Sequence, residues 1–309
     1  MITAFAPATL SNLNCGFDVL GMAIDSPGDE VCVSFNDSKQ VNVVKITGDR
    51  GKLPTDPTQN TAAVAVSSLL QALNSQQGID IVVHKKMPLG SGLGSSAASA
   101  VAATVAANHL LGSPFSKHQL LPFVLKGEEA AAGSIHGDNV FPSLLGGVVL
   151  IRSCDPIDVV ELPLPDGLYC VLIHPDVEIL TKEARAILPK QVPLKDAVMQ
   201  TGNIAAFVAA LYNNDLALLG RSMTDLFAEP YRSPLIPHFQ AVKNAAYYGG
   251  AISFGISGSG PSMFALSDSG TRARQISEIM LRALHSKNVE ATAYVSKINK
   301  KGAYIVADS

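Results

Sequence analysis

The sequence predicts an α+β protein, and two observations carry that prediction. Strand-like and helical stretches are mixed within both halves of the 309-residue chain, which argues for α+β domains over helix bundles. A Pro- and Asp-rich stretch over 155–166 separates the halves. The length suits two domains or one large one. The Asp155 region sets the expected division at 1–155 and 156–309.

The elements follow in order from periodicity and β-branched content. Residues 31–35 and 41–46 read as strands with a period of two. Residues 60–73 read as a helix with an apolar face through Val64, Leu69, Leu70 and Leu73 and an Asn60-Thr61 start. Residues 79–83 form another strand, followed by a Gly/Ser segment and an Ala-rich helix to about 111. A helix over 120–132 and a strand over 146–151 complete the first half. In the second half, 169–173 reads as a buried strand, and 194–212 and 216–227 as helices. Strands at 251–254 and 263–266 flank a second Gly/Ser turn, before a helix over 272–285 and an edge strand at 291–295. There is no internal repeat or low-complexity segment.

The segment Pro88-Leu89-Gly90-Ser91-Gly92-Leu93-Gly94-Ser95-Ser96-Ala97-Ala98 is the most informative in the chain. Its glycines allow sharp turns that bring backbone N–H groups close to an anion. The helix that follows adds unpaired N–H donors and the positive end of its dipole. Ser95 and Ser96 supply hydroxyls for phosphate oxygens or a metal, and the small side chains permit close approach of a bulky phosphate. The segment is neither a P-loop, since no Lys follows the last glycine, nor a G-x-G-x-x-G dinucleotide fingerprint. It reads as a phosphate cradle of another kind.

Composition narrows the function classes. Hydrophobic residues make up 47% and charged residues 16%, with a net charge of −3, a balance that gives nucleic-acid binding no support. The Lys85-Lys86 and Lys300-Lys301 pairs read as ordinary solvated surface. Cys15, Cys32, Cys154 and Cys170 are scattered without a C-x-x-C, as expected of a reducing cytoplasm and not of a disulfide or zinc scaffold. The N-terminus lacks the features of a signal peptide. No stretch reaches the roughly 18 apolar residues of a membrane span.

Four other polar clusters are candidates to complete a site. Asn12 and Asp18 flank Gly16 in a turn-like segment near the N-terminus. Glu128 or Glu129 could hold Mg²⁺, which takes a few hard oxygens plus substrate phosphates, and His136 lies between two polar turns nearby. Thr181, Arg185 and Arg232 form a third group, in which two guanidinium groups could grip one carboxylate. Gly258, in the turn Gly258-Ser259-Gly260, could present further N–H groups to an anion. Two separate glycine-rich turns point to a nucleotide more than to a simple metabolite.

With these residues collected, the chain resembles the GHMP kinase superfamily. Three motifs match in order: Pro7-Ala8-Thr9 through Gly21, Pro88 through Ala98, and Gly255 through Ser262. Within it, the segment from Ser11 to Gly21, Ser134-Ile135-His136-Gly137-Asp138-Asn139-Val140, and the run from Glu229 to Pro237 resemble the homoserine kinase branch. The resemblance implies a two-domain GHMP kinase fold, with a ribosomal S5 domain 2-like N-terminal domain and a ferredoxin-like C-terminal domain. It implies transfer of the ATP γ-phosphoryl group to the side-chain hydroxyl of L-homoserine, a step that feeds threonine synthesis. ATP would lie on Pro88–Ala98, with Asn60 and Thr61 near the base or ribose and Ser96 and Glu128 holding Mg²⁺. Asn12, Asp18, His136, Thr181, Arg185, Arg232 and Gly258 would meet homoserine, the two Arg on its carboxylate. Asn12 and Asp18 would orient the hydroxyl without a dedicated strong base, since the first motif lacks a Lys–Asp pair. The resemblance is compatible with a homodimer. The alternatives are a mevalonate- or sugar-type kinase and a non-catalytic nucleotide-binding homologue.

Overall fold

The computed structural model of the chain describes residues 1–132 and 137–308. β1 (Ile2–Ser11) and β2 (Leu20–Asn36) pair antiparallel at the centre of a mixed sheet, with Ile2 opposite Val33 and Ser11 opposite Gly21. β3 (Val41–Thr47) runs parallel to β4 (Gly78–His84), which pairs antiparallel with β2. α1 (Thr61–Ala72), α2 (Ser95–Leu110), α3 (Lys117–Ala132) and α4 (Gly137–Leu145) pack together, with α2 and α4 against β1 and β2.

The Ala-rich composition of α2 explains its place. Every residue from Ala97 to Asn108 is buried, so the helix meets protein on all sides. Small side chains let it lie close to the sheet and to α1 and α3 at once, and Ala is the best helix former.

β5 (Val148–Cys154) joins the first part of β2, and β6 (Ile157–Leu162) pairs with β5. β7 (Tyr169–Pro175) begins a second, antiparallel sheet. α5 (Thr181–Ala186), α6 (Leu194–Asn213), α7 (Leu216–Ser222), the single turn α8 (Glu229–Arg232) and α9 (Phe239–Tyr248) follow. β8 (Ser253–Ile256), β9 (Met263–Ser267), α10 (Gly270–His285) and β10 (Ala291–Lys297) complete that layer, in the strand order β10-β7-β9-β8. The last strand, β11 (Tyr304–Asp308), returns to pair with β1.

The second sheet is buried on both faces, and the period of two along its strands shows how. Val171, Ile173, Met263 and Ala265 face a core built with α9 and α10. Their neighbours Cys170, Leu172, Phe264 and Leu266 face the main core with Phe207, Leu211 and Leu219 from α6 and α7. Among the described residues, no helix is long and apolar enough to cross a membrane, and the four cysteines are free thiols.

Two expectations need correction. A cut at 155/156 does not follow the sheets, because β6 and β11 both lie beyond it and belong to the first sheet. The Asp155-Pro156 signal marks the tight turn between β5 and β6, and the passage between sheets comes after Leu162. The helix expected over 216–227 stops at Ser222. Beyond it the Asp225 carboxylate accepts from the N–H groups of Phe227, Ala228 and Glu229 at 2.8–2.9 Å, which competes with continued helix and starts α8 instead.

Candidate active site

A cavity of about 850 Å³ lies between the two sheets, bordered by the Gly/Ser segment, the turn after β1, α5, α8 and the turn after β8. One end is built from backbone. Gly90, Gly92 and Gly94 all have positive φ, and Gly94, at +68°, is the N-cap of α2. A Cβ on Gly94 would fall 2.3 Å from Thr9 Oγ1, and one on Gly92 would fall 2.3 Å from the Ser257 carbonyl oxygen.

The carbonyls of this loop are turned away from the cavity and taken up elsewhere. Ser91 O accepts from Ser262 N, Gly92 O from Ser257 Oγ at 2.7 Å, and Leu93 O from Thr9 N at 3.1 Å. The opposing N–H groups of Gly92, Leu93 and Gly94 accordingly have no backbone partner among the described residues. Together with the N-terminus of α2 they form an anion cradle.

Beneath the cradle lies a buried ion pair. Lys85 Nζ donates to Asp29 Oδ2, to Ser95 O at 2.6 Å and to Ser99 Oγ at 2.8 Å. Asp29 also accepts from the N–H groups of Lys86 and Met87 and from Ser95 Oγ. Burial pulls the Lys85 ammonium below its usual value, while the Asp29 charge opposes this. The pair ties β2, the end of β4 and the first turn of α2 into one unit. Lys86, by contrast, is a surface residue paired with Glu30. The reading of Lys85-Lys86 as solvated surface therefore holds for one member only.

Glu128 reaches the same region from α3. Burial raises its carboxyl to about 7, with the Ser96 hydroxyl and the Lys85 ammonium pulling the other way. Its Oε2 is buried without a hydrogen-bond partner among the described residues. An orphaned carboxylate oxygen beside a serine hydroxyl and an anion cradle fits a hard divalent cation that shares its shell with phosphate oxygens. Glu129 is exposed.

The other end of the cavity is built from side chains. Asn12, Leu13 and Asn14 all have positive φ, a left-handed run that non-glycine residues adopt only when held. Asn14 Nδ2 holds it by donating to Met223 O and Phe254 O, both at 2.8 Å. Asn12 Oδ1 accepts from Asp18 N at 3.0 Å, and its Nδ2 donates to Gly258 O.

Asp18 accepts from Arg185 Nη2 through both oxygens, at 2.7 and 2.9 Å. Arg232, 3% exposed, donates from Nε to Ala184 O and from Nη1 to Gly258 O. Burial and then the Arg185 charge lower the Arg232 guanidinium, opposed by Asp225, Asp18 and Asp138. Asp138 borders the cavity as a buried carboxyl raised to about 7, by burial first and then by the Asp18 and Glu128 charges. A cationic pair set among carboxylates suits a zwitterion, an amino acid being the smallest example.

The chain matches the family model for the GHMP kinases N terminal domain over residues 60–147 and that for the GHMP kinases C terminal over 207–286. Homoserine kinase from Chloroherpeton thalassium is 48% identical, covering 99% of each chain, and homoserine kinase from Xylella fastidiosa is 37% identical, covering 98% of this chain and 93% of its own. The crystal structure of homoserine kinase from Cytophaga hutchinsonii superposes with a TM-score of 0.97 at 52% identity, covering 99% of this chain and 97% of that one. This chain belongs to the GHMP kinase family. The chain thus has the two-domain GHMP kinase fold, and homoserine kinases are among its similar relatives.

In this GHMP kinase the cavity brings together most of the residues singled out from sequence. Asn12, Asp18, Asn60, Thr61, the segment from Leu89 to Ser96, Glu128, Thr181, Arg185, Arg232 and Gly258 all border it. Pro88, Ala97 and Ala98 do not: Ala97 and Ala98 lie on the face of α2 turned into the main core, and the Pro88 carbonyl caps the loop by accepting from Ser91 Oγ. Asn60 is committed locally, its Oδ1 accepting from Ala62 N and Ala63 N as the cap of α1 and its Nδ2 donating to Pro54 O. His136 lies outside the described residues.

Sequence reasoning missed Lys85, Asp29 and Asp138. The signal for the buried pair was present in the strand period. Lys85 continues the inward series Ile79, Ile81, Val83, and Asp29 begins the inward series with Val31 and Val33.

Proposed function

We propose that this chain transfers the γ-phosphoryl group of ATP to the side-chain hydroxyl of L-homoserine, giving O-phospho-L-homoserine and ADP, a step that feeds threonine synthesis. The observation that carries this reading is one cavity with a backbone anion cradle at one end and Arg185, Arg232 and buried carboxylates at the other. The names of the similar relatives support the same substrate.

The loop N–H groups and the α2 dipole bind the triphosphate and stabilise charge as the bond from phosphorus to the β–γ bridging oxygen breaks. Mg²⁺ bound at Glu128 and Ser96 would neutralise phosphate charge. Arg185 and Arg232 take the homoserine carboxylate, while Asn12 and Asp18 orient the hydroxyl for in-line attack. Thr181 and Gly258 border the acceptor end. Asp18 already accepts from a guanidinium through both oxygens, which favours orientation over proton abstraction. Proximity and charge neutralisation then supply the acceleration. A cytoplasmic setting, in which the free thiols stay reduced, belongs to the same reading.

The test is ADP release with ATP, Mg²⁺ and a panel of L-homoserine, L-serine, L-threonine, mevalonate and galactose. Turnover on L-homoserine above the rest is expected. Preference for another acceptor overturns the substrate, and ATP binding with no turnover on any acceptor overturns the activity. The variant D18N is expected to raise the homoserine KM with turnover largely kept; a collapse in kcat at unchanged KM would make Asp18 the base.

A further inference from the structure

Two guanidinium groups share one wall of the acceptor end and repel each other; the Arg185 charge is among the causes that lower Arg232. Their hydrogen bonds account for part of what holds them. Arg185 is tied to Asp18, and Arg232 to the carbonyls of Ala184 and Gly258. Besides the Asp18 and Asp138 charges, which act on both, the two share an aromatic ring as neighbour. The Arg185 guanidinium carbon lies 5.6 Å from the centroid of Phe17, and that of Arg232 lies 5.5 Å from it.

We propose that Phe17 is the positioning residue of the two-guanidinium clamp, its ring holding Arg185 and Arg232 in place to receive one carboxylate. The ring quadrupole attracts cations and offsets part of their mutual repulsion. Its flat faces also restrict guanidinium planes that would otherwise swing on long side chains. Phe17 is half-buried and does not itself border the cavity, so its influence reaches substrate through the two Arg. Its own placement is firm. Gly16 N donates to Asn12 O at 2.8 Å, and Asp18 N donates to Asn12 Oδ1, so the ring sits between two anchored neighbours. One dipeptide therefore meets both cations: Phe17 by its ring and Asp18 by its carboxylate.

The proposal rests on the reading of L-homoserine as acceptor and deepens it by naming what orders the clamp. The experiment compares wild type, F17L and F17Y by KM and kcat for L-homoserine, for L-homoserinol, which lacks the carboxylate, and for ATP. F17L is expected to raise the L-homoserine KM about five- to thirtyfold, with kcat, ATP KM and L-homoserinol KM within about twofold. F17Y, which keeps an aromatic face, is expected to restore the KM. Parallel losses on L-homoserine and L-homoserinol would reduce Phe17 to packing and overturn the proposal.

Phenylalanine bearing one, two or three ring fluorines at position 17 keeps the shape while weakening the ring's hold on cations, and so serves even if F17L fails to fold. A KM that climbs with each fluorine supports the clamp; a flat series in an active enzyme overturns the role of Phe17 alone. A wild-type chain inactive on L-homoserine overturns the substrate reading, and the clamp with it.

Discussion

The two ends of the cavity are made in different ways. The end proposed to take phosphate consists of consecutive residues that present backbone N–H groups, over a buried Lys85–Asp29 pair that fixes β2, β4 and α2 to one another. The acceptor end consists of side chains from four distant segments: 12–18, Asp138 on α4, Arg185 on α5 and Arg232 on α8. A backbone site binds a group common to many substrates and changes little with single side chains. A side-chain site selects one substrate and is exposed to every substitution in it. Loss of the ion pair beneath the first end should therefore appear as stability, and loss of a guanidinium at the second as substrate affinity.

The sharpest challenge to that contrast is K85M, which leaves Asp29 buried without its counter-charge. Urea unfolding is expected to show a loss of about 3–5 kcal/mol, partly recovered when Asp29 is replaced by Leu as well. Unchanged stability would mean that the phosphate end does not depend on its foundation. At the acceptor end, R232A is expected to weaken L-homoserine by about 2–5 kcal/mol. The KM for ATP should stay near wild type, and a comparable loss in ATP affinity would merge the two ends into one unit.

A pH series reads a buried carboxyl from each end. Burial raises the Asp138 carboxyl from an ordinary value of 3.8 to about 7, so the folded chain binds this proton more tightly than the unfolded chain does. Its contribution to stability is greatest below about 4, declines as pH rises towards 7 and levels off above, by at most about 1.4 kcal/mol per pH unit. Thermal unfolding without ligands is expected to show this decline. D138N should remove part of it, with the raised Glu128 carboxyl supplying the rest. The smallest effect concerns Asn60. N60A is expected to cost about 1 kcal/mol through loss of the α1 cap, and N60D to restore it. Loss of ATP affinity in N60D at full stability would instead assign this side chain to the nucleotide.

The same contrast explains what could be read in advance. The cradle was legible because its chemistry is local: three glycines, two serines and an Ala-rich helix are adjacent in the chain. Asn60 as a helix start was legible for the same reason. Arg185 and Arg232 carry no local mark that distinguishes them from surface Arg, and only the family resemblance gathered them with Asn12 and Asp18. The return of β11 to β1 was beyond local reading, since a five-residue, largely exposed strand is recruited by an edge far away in sequence. Lys85 was different. Its place in the inward series of β4 was visible, and the neighbouring Lys86 masked it by making the pair look solvated.

The outward carbonyls of the cradle have one more consequence. Ser257 and Ser262, neither of which borders the cavity, hold two of these peptides by their far side. No peptide there has to turn over when an anion arrives, so little conformational entropy remains to be lost on binding. If the cradle takes the ATP phosphates as proposed, the C-terminal half contributes to nucleotide affinity through preorganisation, and a lesion in its Gly/Ser turn would present as a defect in ATP binding.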